Sequence, residues 1–430
     1  MSKVLVTSFP TTGHFAPLVA IAENLVGRGH EVLFYTGARF EEAVRRAGAR
    51  FVPYPEEVDY DEHEVARRYP DYEELTSADR LSFLVQHVFI NPAPVHDKRL
   101  QELLAEFPAS VVIGEIGTAA TLAMTLRAPR GERPLTVQIC TTPPTFESRD
   151  TAPYGLGMLP PVNDEERARY DEMRPQVRQA FAGMQKEAEE VFAGMGVELP
   201  DFLFNAWCTI PDHLLQLTVA DFEYPRSDGP EGFQFIGPLP PGSPVDAELP
   251  AWWSSLPEER PVVVVTQGTV ANDDFSQLVT PTLQALADLD VTVVAATARP
   301  DGPAVVKATL NHEVPDNAYI AGFLPFEELL PKSAVLVTNA GYGGVQTALR
   351  HGVPLVVGGE TEDKPEVAAR VEWSGTGVNL RSGSPEPAAI RAAVLEVLND
   401  PRYRRRAEDI GERIRGQRPF EVIAEIVENA

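Results

Sequence analysis

Short runs of apolar and β-branched residues alternate with helical patterns along the whole chain. This alternation predicts βα units, whose strands form parallel sheets that are buried on both faces. The runs form two sets, which predict two doubly wound, Rossmann-like halves. In the first half the runs are 3–8, 31–35, 110–114, 135–140 and 214–219. In the second half they are 261–266, 291–295, 318–321, 334–338, 354–358 and 377–380.

A segment rich in proline and glycine separates the two sets. Residues 223–250 contain seven prolines, a composition that sustains neither a helix nor a central strand. We therefore predict a Rossmann-like domain at 1–222, a linker at 223–250, a second Rossmann-like domain at 251–405 and a helix at 406–430 that packs across the domain junction. Because open α/β sheets bind ligands at the carboxyl ends of their strands, we expect a ligand cleft between the domains.

The composition of the chain restricts its partners and its location. With 430 residues, the chain exceeds the roughly 250 to 300 residues that one core supports. Its 63 acidic and 37 basic residues give a net charge of −26, which disfavours contact with nucleic acid or anionic membranes. Cys140 and Cys208 are too few for a disulfide framework or a zinc site. Since no signal peptide and no apolar stretch of about 20 residues is found, we expect a cytoplasmic monomer or homodimer without stable membrane insertion.

Two residues at predicted strand ends in the first half point to acid–base chemistry. The run 3–8 leads into Gly13 and His14, and a histidine there is able to take a proton from a reacting hydroxyl. The run 110–114 ends at Glu115, whose carboxylate would orient the imidazole. Each residue also has a purely structural interpretation, because either side chain could cap the helix that follows it.

The second half carries a glycine-rich turn after a predicted strand. The run 334–338 is followed by Asn339, Gly341, Gly343 and Gly344, and glycines there let backbone N–H groups approach phosphate oxygens at a helix N-terminus. The next strand leads to Asp363, a carboxylate that is able to accept hydrogen bonds from sugar hydroxyls. A structural turn and a solvent-facing loop acid are the alternatives.

These motifs resemble those of the inverting family 1 glycosyltransferases of the GT-B fold, particularly the bacterial natural-product enzymes. The resemblance rests on Gly13-His14 with Pro17, on Arg28-Gly29-His30 and on the block 339–363, and it extends over essentially the whole chain. The family motif H-x-G-x-x-S, then G-x-P, then D-Q, aligns without gaps. It places its histidine at Asn339, its first glycine at Gly341, its serine at Gly344, its Gly-x-Pro at 352–354 and its acid at Asp363.

The resemblance implies transfer of a sugar from a UDP- or dTDP-sugar to a hydroxyl of a small, largely apolar acceptor, with inversion and without a metal or a resident cofactor. His14 would be the catalytic base with Glu115 as its partner, and the first domain would bind the acceptor. The second domain would bind most of the donor. The implied donor-binding residues are Gly13, Gly268, Thr269, Phe323, Leu324, Asn339, Gly341, Gly343, Gly344, Val345, Asp363 and Lys364.

Three residues depart from the family pattern. Asn339 replaces the phosphate-binding histidine, Lys364 replaces the glutamine after the acid, and Glu115 replaces the usual aspartate. Thr347 stands where UDP-glucose-using plant relatives often carry a ribose-binding glutamate, so the choice between a UDP-sugar and a dTDP-sugar as donor stays open. Two other functions therefore remain: a catalytically weak nucleotide-sugar-binding helper protein, and a sugar-nucleotide epimerase of the same GT-B architecture.

Soft and aromatic side chains in the first half are candidates for acceptor binding, because such side chains adapt to irregular apolar ligands. The alternative is that they form helix cores. The acidic segment 56–80 is predicted to be a solvated loop or helix. The candidate acceptor residues are Phe83, His87, Phe146, Met158, Phe181 and Met184.

Overall fold

The computed structural model describes residues 1–61, 69, 75, 77–240, 249–256, 259–269 and 272–430. Within these residues the chain forms two sheets whose strands are all parallel, so the predicted pair of doubly wound halves is confirmed. Most of the acidic segment 56–80 lies outside the described residues.

The first sheet has the strand order β3-β2-β1-β4-β5-β6-β7. Its strands are β1 (Lys3–Thr7), β2 (Glu31–Thr36), β3 (Arg50–Pro53), β4 (Val111–Glu115), β5 (Leu135–Cys140), β6 (His213–Gln216) and β7 (Phe233–Phe235). The helices of this half are α1 (Thr12–Gly27), α2 (Glu41–Arg46), α3 (Ser77–Leu84), α4 (Ala93–Glu106), α5 (Ala119–Arg127), α6 (Asp164–Ala180), α7 (Ala182–Gly194) and α8 (Leu203–Thr209). A π-helical segment, Val85–Ile90, continues α3, and a 3-10 turn spans Ala38–Phe40.

The second sheet has the strand order β10-β9-β8-β11-β12-β13. Its strands are β8 (Val262–Thr266), β9 (Thr292–Ala296), β10 (Ala318–Ala321), β11 (Ser333–Thr338), β12 (Leu355–Val357) and β13 (Gly377–Asn379). The helices are α9 (Val279–Ala285), α10 (Gly302–Thr309), α11 (Phe326–Leu329), α12 (Tyr342–Arg350), α13 (Lys364–Trp373), α14 (Pro387–Asn399), α15 (Pro401–Arg415) and α16 (Pro419–Glu428). Two 3-10 turns span Trp253–Ser255 and Leu330–Lys332.

Each sheet is buried on both faces, which explains why its strands are continuous apolar runs. In β8, Val262 and Val264 belong to one core cluster, while Val263 and Val265 belong to another on the opposite face. Successive side chains of a strand point to opposite faces, so a strand that is covered on both sides is mostly apolar.

The strand order reverses between β1 and β4 in the first sheet and between β8 and β11 in the second. At such a switch point the two neighbouring loops leave in opposite directions and open a crevice beyond the strand ends. His14 lies in the segment that follows β1, and Glu115 is the last residue of β4. Gly268 and Asn339 lie in the segments that follow β8 and β11. The topology thus places all four residues at switch points.

The structure differs from the sequence prediction in three elements. Strand β3 was not predicted, and β7 lies inside the segment predicted to be a linker, where it adds an edge strand to the first sheet. Prolines are tolerated beside an edge strand because one side of it needs no hydrogen-bond partner. The single helical pattern predicted at the C-terminus is two helices, α15 and α16, with Pro419 at the start of the second. Helix α16 packs on the core of the first sheet through Ile423 and Val427.

Candidate active site

The histidine and the glutamate that the sequence singles out are in direct contact. His14 lies in the first turn of α1, and its Nδ1–H donates to Glu115 Oε2. Glu115 ends β4 and is fully buried, and its Oε1 accepts the backbone N–H of Phe9 at 2.5 Å. The His14 side chain remains 27% exposed. The carboxylate therefore fixes the imidazole in the tautomer with hydrogen on Nδ1 and leaves part of the ring open to the cleft.

Aromatic side chains that the sequence analysis missed form a wall beside His14. The ring of Phe9 lies edge-on to the imidazole with centroids 6.1 Å apart, and it contacts Phe89 at 4.6 Å. Phe89 in turn lies edge-on to Trp207. Gly117 lies beside both phenyl rings, and its φ of 95° is in the region that favours glycine. Phe89 belongs to the π-helical segment, which breaks the 3.6-residue period that would have indicated the direction of its side chain.

Two of the predicted acceptor residues lie in and just before this π-helical segment. Phe83 and His87 stack with ring centroids 3.9 Å apart, and both are partly exposed. His87 Nδ1–H donates to the Phe83 carbonyl at 3.0 Å, and Tyr69 lies edge-on to both rings. They form an aromatic surface on the first domain. Met158 is also partly exposed, in a loop that reaches α13 of the second half.

The other three predicted acceptor residues are in the hydrophobic core. Phe146, Phe181 and Met184 are all buried in one cluster behind the cleft. Phe181 packs on Phe204, and Phe146 packs on Phe233 and under the guanidinium of Arg226. Their apolar surface is already covered by protein, so these three side chains are part of the core.

On the donor side, Asn339 joins two glycine-containing loops. Its Nδ2 donates to Gln267 O at 2.5 Å, and its Oδ1 lies within 4 Å of the points where Cβ atoms on Gly268 or Gly341 would stand. A Cβ on Gly359 would lie 2.4 Å from Asn339 O, so only glycine fits at that position. Three loops, which follow β8, β11 and β12, thus meet at Asn339.

Helix α12 begins with the predicted glycines. Gly341 is its N-cap, and neither Gly343 nor Gly344 has an atom within 4 Å of an added Cβ, so the first turn is open to a ligand. The first N–H groups of a helix have no intrahelical partner and attract anions. Val345 differs from the prediction, because its side chain is fully buried and its N–H donates to Gly341 O at 3.0 Å.

The remaining predicted contacts of the nucleotide lie around this helix. Phe323 is 53% exposed, as is typical of a ring that stacks on a ligand, whereas Leu324 packs against the core of the second sheet. Thr269 is exposed and follows Gly268 (φ 73°) at the end of β8.

Asp363 and Lys364 stand at the start of α13. Burial raises the pKa of the Asp363 carboxyl to about 6, with the charge of Glu362 raising it further and the charges of Lys364 and His14 lowering it. The ammonium of Lys364 is buried and paired with Glu362 and Thr361, so this side chain is held by its own loop.

Buried hydrogen bonds join the two halves directly behind α12. Gln216, at the end of β6, donates its Nε2–H to the Tyr342 hydroxyl at 2.7 Å, and Thr218 Oγ1 donates to Gln346 Oε1 at 2.9 Å. Within the described residues, no group of three His, Cys, Asp or Glu side chains is arranged to hold a metal ion. Within the same residues, no helix has the length and apolarity needed to cross a membrane.

Comparisons with known proteins agree with this geometry. Residues 280–429 match the family described as "Erythromycin biosynthesis protein CIII-like, C-terminal domain". The chain is 40% identical over 407 residues to 4'-demethylrebeccamycin synthase of Lentzea aerocolonigenes, covering 94% of this chain and 93% of that protein. It is 34% identical over 415 residues to UDP-glycosyltransferase 2 of Phaeomoniella chlamydospora, and the match covers 95% of this chain and 91% of that protein. The fold is similar to that in the crystal structure of the glycotransferase of kitacinnamycin, with a TM-score of 0.74 and 22% sequence identity. The match covers 100% of this chain and 98% of that one.

Proposed function

This chain belongs to the family 1 glycosyltransferases of the GT-B fold, and we propose that it transfers a sugar from a UDP- or dTDP-sugar to a hydroxyl of a small, largely apolar natural product, with inversion at the anomeric carbon. The observation that carries the proposal is the contact between His14 and the buried Glu115 at the switch point of the first sheet. A base on one domain then faces a sugar-holding carboxylate on the other.

His14 acts as the general base in this proposal. Its Nδ1–H is donated to Glu115, so Nε2 takes the proton of the acceptor hydroxyl as the oxygen attacks the anomeric carbon. The positive charge that develops on the imidazole is stabilised by the carboxylate. Glu115 is therefore assigned two tasks, which are to set the tautomer and to stabilise the imidazolium.

The donor is held from the second domain. The N–H groups at the open start of α12 bind the diphosphate and balance the charge that grows on it as the bond to the sugar breaks, so the proposed mechanism requires neither a metal nor a resident cofactor. Phe323 stacks on the base, and Asp363 accepts hydrogen bonds from sugar hydroxyls. Above about pH 6 that carboxyl is ionised and is a stronger acceptor.

The acceptor is proposed to lie against the partly exposed ring of Phe89, which packs on the buried Phe9 beside the imidazole, with the Phe83–His87 stack extending the surface. Such a wall supports an external apolar acceptor over the epimerase alternative, which needs no acceptor site. The intact His14–Glu115 contact supports an active enzyme over a helper protein. The relative named UDP-glycosyltransferase 2 supports the same choice.

The test combines calorimetric titration with rate measurements. UDP and dTDP are titrated into the protein, and release of the nucleoside diphosphate is followed with a panel of hydroxylated aromatic and macrocyclic acceptors. His14→Ala should lower turnover by roughly 100-fold or more, while its affinity for the preferred nucleotide stays within about twofold because the base touches no phosphate. A His14→Ala variant that turns over at the wild-type rate would refute the assignment of His14 as the base. A wild-type protein that binds neither nucleotide would refute the proposed sugar transfer.

A further inference from the structure

A buried arginine joins the linker to the helix that begins at Asp363. Arg370, in the middle of α13, has no exposed surface. Its Nε–H is shared between the two carboxylate oxygens of Glu223, at 2.8 and 2.7 Å. Its Nη1 donates at 2.9 Å to both the carbonyl and the Oε2 of Glu366, one helical turn earlier. The guanidinium also lies over the ring of Tyr224, 4.2 Å from its centroid.

Glu366 extends this network to the acceptor domain. Its Oε2 faces Arg370, and its Oε1 accepts the backbone N–H groups of Gly155 at 2.9 Å and Gly157 at 3.0 Å. The contact is close, because a Cβ on Gly157 (φ 57°) would lie 2.9 Å from Pro365 in the first turn of α13. One carboxylate therefore holds a loop of the first domain against the helix that positions Asp363, three residues away.

Acidic and basic side chains alternate in this network, and each is paired with a side chain of opposite charge. Glu223 also accepts from Arg226 at 3.1 Å and from the N–H of Tyr224 at 2.8 Å. Burial raises the pKa of the Glu223 carboxyl, but the charges of Arg370 and Arg226 outweigh burial and hold that pKa below its ordinary value. Removing one partner from a buried set of charges leaves another uncompensated, so the members are expected to move together.

We propose that Glu366 and Arg370 are positioning residues that form an interdomain latch, which sets the distance between Asp363 and the acceptor domain. The proposal rests on the proposed function, since it assumes that Asp363 holds the sugar opposite His14. With the latch closed, the loop at 155–157 and the start of α13 form one continuous wall, which aligns the sugar with the acceptor and excludes water. With the latch broken, the donor still binds but is misaligned.

Glu366→Gln tests the carboxylate. The amide oxygen still accepts from the glycine N–H groups, but the amide NH2 then faces the Nη1 donor of Arg370, so one of the two contacts is lost. Asp212→Asn is the matched control, because it also breaks a nearly buried ion pair, that of Arg133 and Asp212. That pair lies at the amino-terminal ends of β5 and β6, opposite the strand ends that carry His14 and Glu115.

Gly157→Ala tests the loop without touching a charge. Its methyl group would push the loop away from Pro365, and the site is on a partly exposed loop where the chain is able to adjust without unfolding. Gly131→Ala is the control for backbone strain alone, because Gly131 has φ 101° and nothing within 4 Å of an added Cβ.

The measurement is the partition of the nucleotide sugar between transfer and hydrolysis, together with calorimetric Kd values for UDP and dTDP. Both Glu366→Gln and Gly157→Ala should lower kcat/KM for transfer by about 10-fold to 100-fold and raise the hydrolysed fraction several-fold. Their nucleotide Kd should stay within about twofold, and the controls should keep the wild-type partition. A wild-type partition in both test variants would overturn the latch, as would an equal loss of nucleotide affinity. Failure of the proposed function looks different, because the wild-type protein itself would then bind neither nucleotide.

Discussion

Replacing Glu115 by glutamine tests the proposed base more sharply than removing the histidine does. In the native site two donors, the Phe9 N–H and the His14 Nδ1–H, each have their own carboxylate oxygen. Glutamine offers a single acceptor oxygen. The backbone N–H of Phe9 is fixed by β1, so the amide oxygen stays on it and the amide NH2 turns to His14.

The imidazole must then change its tautomer. Nδ1 becomes the acceptor of the amide hydrogen, and the ring proton moves to Nε2, where the proton of the acceptor hydroxyl was to be taken. The base is lost although its side chain remains. General-base catalysis contributes about 10²-fold to 10⁴-fold, so kcat should fall by that factor, which corresponds to roughly 3 to 5 kcal/mol in the barrier.

Initial rates of nucleoside diphosphate release at saturating donor and acceptor provide the assay, with His14→Ala and the double variant measured beside Glu115→Gln. The two single variants should be equally slow within a factor of about three, and the double variant no slower, because residues that act as one unit are not additive. The nucleotide Kd serves as the folding control. Retention of more than about a tenth of the wild-type kcat by Glu115→Gln would refute the tautomer reasoning, and so would multiplied losses in the double variant.

Three further predictions concern the donor side. Because burial raises the pKa of Asp363 to about 6, its ionised form destabilises the fold above that pH. Asp363→Asn should therefore raise the free energy of unfolding at pH 8 by roughly 1 to 2 kcal/mol, a gain that shrinks as the pH falls through 6 and is absent below about pH 4, as thermal melts would detect. Gly359→Ala should weaken UDP or dTDP binding about 10-fold by displacing Asn339, whereas Gly27→Ala, with open space around it, should not, by calorimetry. Tyr342→Phe removes a buried interdomain hydrogen bond and should cost about 1 kcal/mol in urea titrations at an unchanged m-value.

The two sheets, and the strand ends where the candidate site lies, could be predicted from the sequence because a single physical rule governs each of them. A strand covered on both faces is mostly apolar, so β8 and β11 are visible as apolar runs in the sequence. Ligand-binding loops follow strand ends at a switch point, so His14 and Glu115 were recognisable before their contact was seen.

Other features leave no such signal. Strand β7 has only three residues, too few for a period, and it is defined by its pairing with β6. The direction of Phe89 depends on a π-helical segment, and the contact of Glu115 with the Phe9 N–H depends on how two distant strands align. Arg370 resembles any helical arginine in the sequence, and only tertiary packing makes it buried and interdomain.

The departures from the family motif become understandable once the partner of each side chain is known. The Nδ2 of Asn339 donates to Gln267 O, and its Oδ1 faces the glycine loops, so an oxygen rather than a donor points toward the space beside Gly341. Lys364 is paired with Glu362 within its own loop. Neither side chain then presents a positive charge to a diphosphate, which supports the proposal that the N–H groups of α12 bind it. Because those N–H groups do not titrate, nucleotide affinity should stay constant between pH 7 and 9, as calorimetric titration would measure.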